Sequence, residues 1–492
     1  MFFDYSSGRS ITATFLTSFP ASVGNILNSK KGLFILKKIL SLILSLSMIG
    51  ASAVSVSAVE TTADKEARFE YSIKKAIECG ESSVPMILDD REKMGNIYLD
   101  VINSNPRLYN VSSSYSFGEE FSFARLMDKK EYQNSVDTFV TETNKLLGDI
   151  YTTDSDYEKT LAIYNKLISH CETPKVGSMS NTSHNTAYSA IVNRTANSRG
   201  LALAYKYLLG AVGINSEVSH EGKYYWNVVT IDGQKYNSDV YRAVKHSPDA
   251  GHTTYARFLF SDLSDAEKTT ISNSQYATNY EDDIPCTSKK YNDVRYKYTS
   301  SLVIRKDKAT YYELNGVIHA VSDNGAYSIL EKEHTWSIGK SYCRIANCGN
   351  YILFTRPTSV ISYNIASSAF ETIFELPKTE KGEIYGLAID GDKLYLNIAT
   401  GPASESASTN IISVDLSNIE FNFTTTNWLT AVVGDTNGDG RVSIVDATNV
   451  QRYLCQVASK DQYNLYGCDI NNDGKINILD VILIQRKLAS RL

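Results

Sequence analysis

Cysteine and histidine are scarce in this chain of 492 residues, seven of each, and neither is grouped. Cys79, Cys171, Cys286, Cys343, Cys348, Cys455 and Cys468 lack metal-type clustering, and no histidines have His-Glu-x-x-His or other zinc spacing, so no zinc centre is expected. The odd cysteine count excludes complete internal pairing. Cys343 and Cys348 are near enough in sequence to be bridged across a turn, but free thiols are expected. No basic block stands out beyond the N-terminal leader and the net charge is −6, which argues against nucleic acid as a partner. The Asp and Glu residues are scattered, without a recognisable pair of the kind that cleaves glycosides.

The length is too great for one core and suggests roughly three or four domains. Residues 33–58 read as a secretory signal: Lys37 and Lys38 give the positive flank, 39–49 the apolar run, and Val56-Ser57-Ala58 a small-residue cleavage site. A membrane anchor is the competing reading, because 39–58 is long enough to span. Ser and Ala interleaved through its second half favour cleavage. A secreted, extracellular protein is expected, with no stable membrane insertion after cleavage. The stretch ahead of Lys31 is long for such a leader, as a start mis-assigned upstream would make it.

From about 63 to 174 the pattern is mainly helical. Apolar residues recur at helical spacing over 66–79, 89–103 and 132–147, and Asp154-Ser155-Asp156-Tyr157-Glu158 opens a further helix over 157–171. Asn105-Pro106 begins a turn into a strand. No catalytic residue types gather here, so the region reads as scaffold.

Next, Asn197-Ser198-Arg199-Gly200 leads into a helix that ends at Gly213. A hairpin follows at Glu221-Gly222-Lys223, then Tyr225-Trp226-Asn227, an Asp232-Gly233 turn and Tyr236-Asn237-Ser238-Asp239. This succession resembles the core of bacterial transglutaminase-like domains, papain-like enzymes with a Cys/His/Asp triad. The resemblance implies a nucleophile two residues before the helix-start glycine, an imidazole two residues before the Trp-Asn pair, and an acid after the Asp-Gly turn. Those positions hold Ser198, Tyr224 and Asp239, so only the acid is retained. A phenol of pKa about 10 is a poor base for a serine at neutral pH. The domain is therefore expected to be catalytically silent, with Gly200, Trp226 and Asn227 as framework. The alternative is an active transglutaminase- or protease-like enzyme. If Glu221-Gly222-Lys223 is a three-residue loop, His220 falls opposite Tyr224 and completes a Ser198/His220/Asp239 site.

From 298 to about 423 the pattern turns to β, with hairpins at Asn315-Gly316, Asp323-Asn324-Gly325, Gly349-Asn350 and Asp390-Gly391-Asp392. The spacings 349 − 315 = 34 and 391 − 349 = 42 suggest a loose repeat near the length of a propeller blade. A small sandwich and a partial propeller-like stack both fit. Thirty-three tyrosines fill such strands naturally, and they are also the one support for a carbohydrate-binding module here.

The last sixty or so residues carry the sharpest signal. Asp435, Asn437, Asp439, Ser443 and Asp446 place oxygen-bearing side chains at positions 1, 3, 5, 9 and 12 of a loop with Gly440 at position 6. Asp469, Asn471, Asp473, Asn477 and Asp480 do the same around Gly474. A hard cation such as Ca²⁺ takes about six to eight oxygens, and this spacing wraps them round one point. Arg441 and Lys475 at position 7 offer backbone carbonyls. Two calcium ions are expected. The loops depart from the EF-hand pattern in ending on Asp instead of Glu.

The loops start 469 − 435 = 34 residues apart, and each opens an amphipathic helix with Ala447, Val450 and Leu454, or Val481, Ile484 and Leu488, on one face. No helix of useful length precedes the first loop, where 427–433 reads as extended. A duplicated loop–helix unit of this kind resembles a dockerin over about 432–492. The resemblance implies attachment to a cohesin module of a scaffoldin. Contacts would come from Ile444, Val445, Gln451 and Arg452 in the first copy and Ile478, Leu479, Gln485 and Arg486 in the second. Positions 10 and 11 are apolar here, whereas a well-known dockerin subclass carries Ser-Thr.

The expected fold is a multidomain α+β chain. It comprises a leader (1–58), a helical region (59–174), a papain-like transglutaminase core (175–297), a mostly β domain (298–426) and a small all-α calcium-binding dockerin (430–492). Its expected work is calcium-dependent cohesin attachment in a cellulosome at the cell surface, with plant cell-wall polysaccharide or protein as further partners.

Overall fold

The computed structural model describes residues 61–174, 182–245, 302–332, 334–337, 343–400, 410–418, 434–436, 442–455, 465–470 and 476–489, together with single positions at 286, 288, 421, 428 and 457. The expected signal segment and most of 427–433 lie outside the described residues.

Helix starts follow capping chemistry. After α1 (Thr62–Cys79) and β1 (Ser83–Pro85), α2 (Arg91–Ser104) opens at Asp90, whose carboxylate accepts the Lys93 N–H at 3.0 Å. β2 (Val111–Phe117) and β3 (Glu120–Arg125) follow, and the three strands form an antiparallel sheet in the order β1-β3-β2. The region is mainly helical, as expected, and the turn at Asn105-Pro106 leads into β2; the small sheet as a whole was not expected. β1 has three residues and β2 reads Val-Ser-Ser-Ser-Tyr-Ser-Phe, so neither shows a clear apolar alternation. Phe121 and Phe123 supply it, sharing a core with Phe69, Ile73, Met94 and Tyr98 of the helices.

α3 (Lys129–Leu147) and α4 (Asp156–His170) each begin with a capping box, Asp128 with Glu131 and Ser155 with Glu158. The short α5 (Ala187–Ile191) precedes α6 (Ser198–Ala211), which is buried almost all round. Leu201, Tyr205 and Leu208 of α6 share a core with Leu161, Tyr164 and Leu167 of α4. Val229 and Tyr236 close that core from a three-stranded antiparallel sheet, β4 (Ser216–Glu221), β5 (Tyr224–Ile231) and β6 (Gln234–Ser238). α7 (Val240–Lys245) ends this part. A Cβ at Gly200 would sit 2.6 Å from the His184 carbonyl, so the loop before α6 closes on its first turn only over glycine.

Residues 304–415 form three antiparallel meanders. The first is β7 (Ile304–Lys306), β8 (Ala309–Leu314), β9 (Val317–Ser322) and β10 (Tyr327–Glu331). The second is β11 (Ile345–Cys348), β12 (Tyr351–Thr355), β13 (Ser359–Asn364) and β14 (Ala369–Glu375). The third is β15 (Glu383–Asp390), β16 (Lys393–Ala399) and β17 (Asn410–Asp415). The expected hairpins at 315–316, 323–325, 349–350 and 390–392 all join paired strands. The repeat is regular, however. The first hairpin of each meander turns at 307–308, 349–350 and 391–392, giving 349 − 307 = 42 and 391 − 349 = 42. The 34-residue spacing compared the second hairpin of one meander with the first hairpin of the next.

These first hairpins dock on α4 and the loop ahead of it. Lys306 Nζ lies 2.7 Å from Asp154, Lys308 N–H donates to Glu158 at 2.9 Å, and Gly349 N–H donates to Asp149 at 3.1 Å. At the C-terminal end, α8 (Ile444–Leu454), α9 (Leu465–Cys468) and α10 (Ile478–Ala489) bury Val442, Ala447, Val450, Cys468, Val481 and Ile484 together. Among the described residues, no helix is long and apolar enough to cross a membrane.

Candidate functional site

In both C-terminal loops the position-12 carboxylate ties the loop to the start of its helix. Asp446 Oδ1 accepts the Thr436 N–H at 2.8 Å and Oδ2 the Ser443 N–H at 2.8 Å. Asp480 repeats this with the Ile470 N–H at 3.0 Å and the Asn477 N–H at 2.9 Å. Each carboxylate thus gathers loop positions 2 and 9 around itself. Burial alone would raise the Asp446 carboxyl, but hydrogen bonds from Ser443 and Thr436 outweigh it and hold it below the usual carboxylate range. Burial also pushes the Cys468 thiol up to about 12, and Asp480, Asp446 and Asp469 add to the rise.

The donors that can be placed suit a hard cation. Asp435, Asp446 and Asp480 are fully buried, and buried carboxylates are costly unless their charge is compensated. Asn437, Asp439, Arg441, Asn471, Asp473 and Lys475 lie outside the described residues. Accordingly, among the described residues no group of three His, Cys, Asp or Glu side chains is gathered for a metal. Thr436 and Ile470 were not legible as site residues, because the groups they share are backbone N–H groups that any residue carries.

All eight expected partner-facing residues are described, and all are exposed: Ile444, Val445, Gln451 and Arg452 on α8, and Ile478, Leu479, Gln485 and Arg486 on α10. Each helix turns its opposite face, Val450 or Ile484, into the shared core. The pattern leaves apolar surface on a small module, bordered by a Gln-Arg pair in each copy.

Upstream, Tyr224 meets Asp239, and Ser198 meets the backbone next to Tyr224. Ser198 sits in the first turn of α6, where Asn197 caps the Gly200 N–H at 3.1 Å, and its Oγ donates to the Lys223 carbonyl at 3.3 Å. Tyr224 OH donates to Asp239 Oδ2 at 2.6 Å. The phenol is a donor here, and among the described residues the Ser198 hydroxyl has the Lys223 carbonyl as its hydrogen-bond partner. His220 does not fill the gap. Glu221 pairs with Tyr224, so the loop has two residues and His220 lies opposite Tyr225, its ring 5.1 Å from that ring. A one-residue change of register sends a side chain to the other face, so the alternative Ser198/His220/Asp239 site loses the His220–Tyr224 pairing it required. Trp226 Nε1 donates to Asn237 at 3.1 Å and Asn227 Nδ2 to the Ala202 carbonyl at 2.9 Å, bracing strand on strand and strand on helix.

Residues 433–489 match the dockerin type I domain family. No curated protein matches the chain. The match falls on the duplicated loop–helix unit, so the chain carries a C-terminal dockerin domain. Such a domain implies calcium binding and attachment to cohesin modules in a cellulosome-like setting.

Proposed function

We propose that this is a secreted cellulosome component. Its dockerin binds two calcium ions and docks on a cohesin module of a scaffoldin, displaying the upstream parts near plant cell-wall polysaccharide at the cell surface. The observation that carries this reading is the duplication. Asp446 and Asp480 make the same two backbone contacts in their own loops, and each loop leads into a helix with an exposed apolar pair and a Gln-Arg pair at matching places. Calcium would be held by Asp435, Asn437, Asp439, Ser443, Asp446 and the Arg441 carbonyl in the first loop. Asp469, Asn471, Asp473, Asn477, Asp480 and the Lys475 carbonyl would hold it in the second.

In the same reading, 175–297 is a transglutaminase-like core without catalysis, supported by a serine whose hydroxyl donates to a backbone carbonyl and a tyrosine that donates to Asp239. The β meanders form a partial propeller-like domain, supported by their 42-residue repeat, 391 − 349 = 42. The test is capture of the intact secreted protein on a panel of immobilised type I cohesins, with and without chelator. Calcium-dependent capture is expected; failure on every cohesin would sink the proposal.

A further inference from the structure

We infer that the two partner-facing helices of the dockerin are unequal and that α10 is the tighter face. This rests on the cohesin reading above and adds which surface dominates. On α8 the exposed apolar side chains are Ile444, at 60 % exposure, and Val445, at 50 %. One turn on stands Thr448, whose hydroxyl donates to the Ile444 carbonyl at 3.0 Å, leaving a single methyl as apolar surface. The same place on α10, since 448 − 444 = 482 − 478 = 4, holds Ile482. Ile482 is 42 % exposed and continues a patch begun by Ile478 at 52 % and Leu479 at 45 %. Leu479 also carries one methylene more than Val445.

The last turn differs as well. Arg486 is followed by Lys487 in the second copy, whereas Arg452 is followed by Tyr453 in the first. The gain on association scales with apolar area removed from water, so one partner surface gains more from α10 than from α8. The occupant that fits is a cohesin face that is apolar under Ile478, Leu479 and Ile482 and acidic under the exposed Arg486.

The experiment titrates the calcium-loaded full chain against a type I cohesin that captures it. Leu479→Asp blocks α10 and Val445→Asp blocks α8. Loss of about tenfold or more in affinity is expected from the first, and about twofold or less from the second. Ile482→Thr, which gives the second copy the side chain of the first, should lose roughly threefold to tenfold, while Thr448→Ile leaves the parent within about twofold. Equal losses from the two blocks, or a larger loss from Val445→Asp, would overturn the inequality and leave cohesin binding standing. No capture by the parent, or binding untouched by both blocks together, would overturn the cohesin reading and this inference with it. Melting with and without chelator checks that each variant keeps its fold. If Leu479→Asp does not, the decision passes to Ile482→Thr, and an unchanged affinity there rejects the inference.

Discussion

His170 Nδ1 and Asp390 Oδ1 lie 2.5 Å apart although 220 positions separate them in sequence. Asp390 is the last residue before the first turn of its meander, and Cys348 and Lys306 hold that place in the other two, since 390 − 348 = 348 − 306 = 42. From this one repeated place Lys306 reaches Asp154, Gly349 beside Cys348 reaches Asp149, and Asp390 reaches the C-terminal end of α4. Arg194 adds a second contact to Asp390 at 2.5 Å, and His170 Nε2 meets the Ile191 carbonyl at 2.7 Å. The β repeat therefore pins α4 near both of its ends.

The stability of the full chain should depend on that pin. Both side chains of the His170–Asp390 pair are buried. Removing the carboxylate leaves the buried His170 Nδ1 without its hydrogen-bond partner, and an unsatisfied buried polar group costs about 1–3 kcal/mol. Asp390→Ala should show a loss of that size in chemical denaturation. A loss below about 1 kcal/mol would mean that apolar and backbone contacts alone hold the seam.

Glu158 makes the same seam sensitive to acid. Its carboxylate accepts the Lys308 N–H at 2.9 Å, the Ser155 N–H at 2.8 Å and the Ser155 hydroxyl at 2.7 Å. Burial alone would raise it, but those bonds outweigh burial and hold it below its ordinary value of 4.5. A depressed carboxyl stabilises the fold above its unfolded pKa, and that contribution is lost as pH falls through the folded value. Below about pH 4.5 the parent's melting temperature should therefore fall more steeply than that of Glu158→Gln. Parallel slopes would remove Glu158 from the acid response.

How much of this was legible depends on whether the signal is local. The helix start at Asp154–Glu158, the Asn315-Gly316 turn and the spaced Asp and Asn of the calcium loops each act within a few residues, and sequence showed them. The capping box at Asp128 is as local but was not read from sequence, and that helix begins earlier than the 132 expected. The hairpin at 221–224 also acts locally, but Glu-Gly-Lys-Tyr fits two loop lengths, and the shorter one, with Gly222 at φ 57°, prevails. His170 and Asp390 carry no local signal at all. Their meeting follows from a 42-residue repeat that was hidden because the visible turns belong to different hairpins.

Calcium removal should loosen the dockerin in two steps. Calorimetry on the full chain should count two ions, and each site filled at a hundred times its Kd adds about 2.7 kcal/mol. Asp480→Ala removes a ligand and also frees the Ile470 and Asn477 N–H groups, so one ion should be lost while the first loop keeps its own. A count unchanged by Asp480→Ala, or a melting temperature indifferent to chelator, would reject the assignment.

The last prediction concerns Ser198. Its proton is directed to the Lys223 carbonyl at 3.3 Å, which accepts but takes no proton away, and Asp239 is engaged by the Tyr224 hydroxyl at 2.6 Å. On the transglutaminase-like reading proposed above, loss of triad members costs on the order of 10⁴–10⁶ in kcat, so amidase, esterase and amine-incorporation assays on the full chain should show no turnover. The arrangement nevertheless keeps the helix start and the acid in place. Ser198→Cys combined with Tyr224→His would put a thiol at the start of α6 and an imidazole beside Asp239. Faint thiol-dependent turnover in that double variant alone is the outcome expected of a silent relic. Turnover in the parent that Ser198→Ala abolishes would show instead that the serine works without an imidazole.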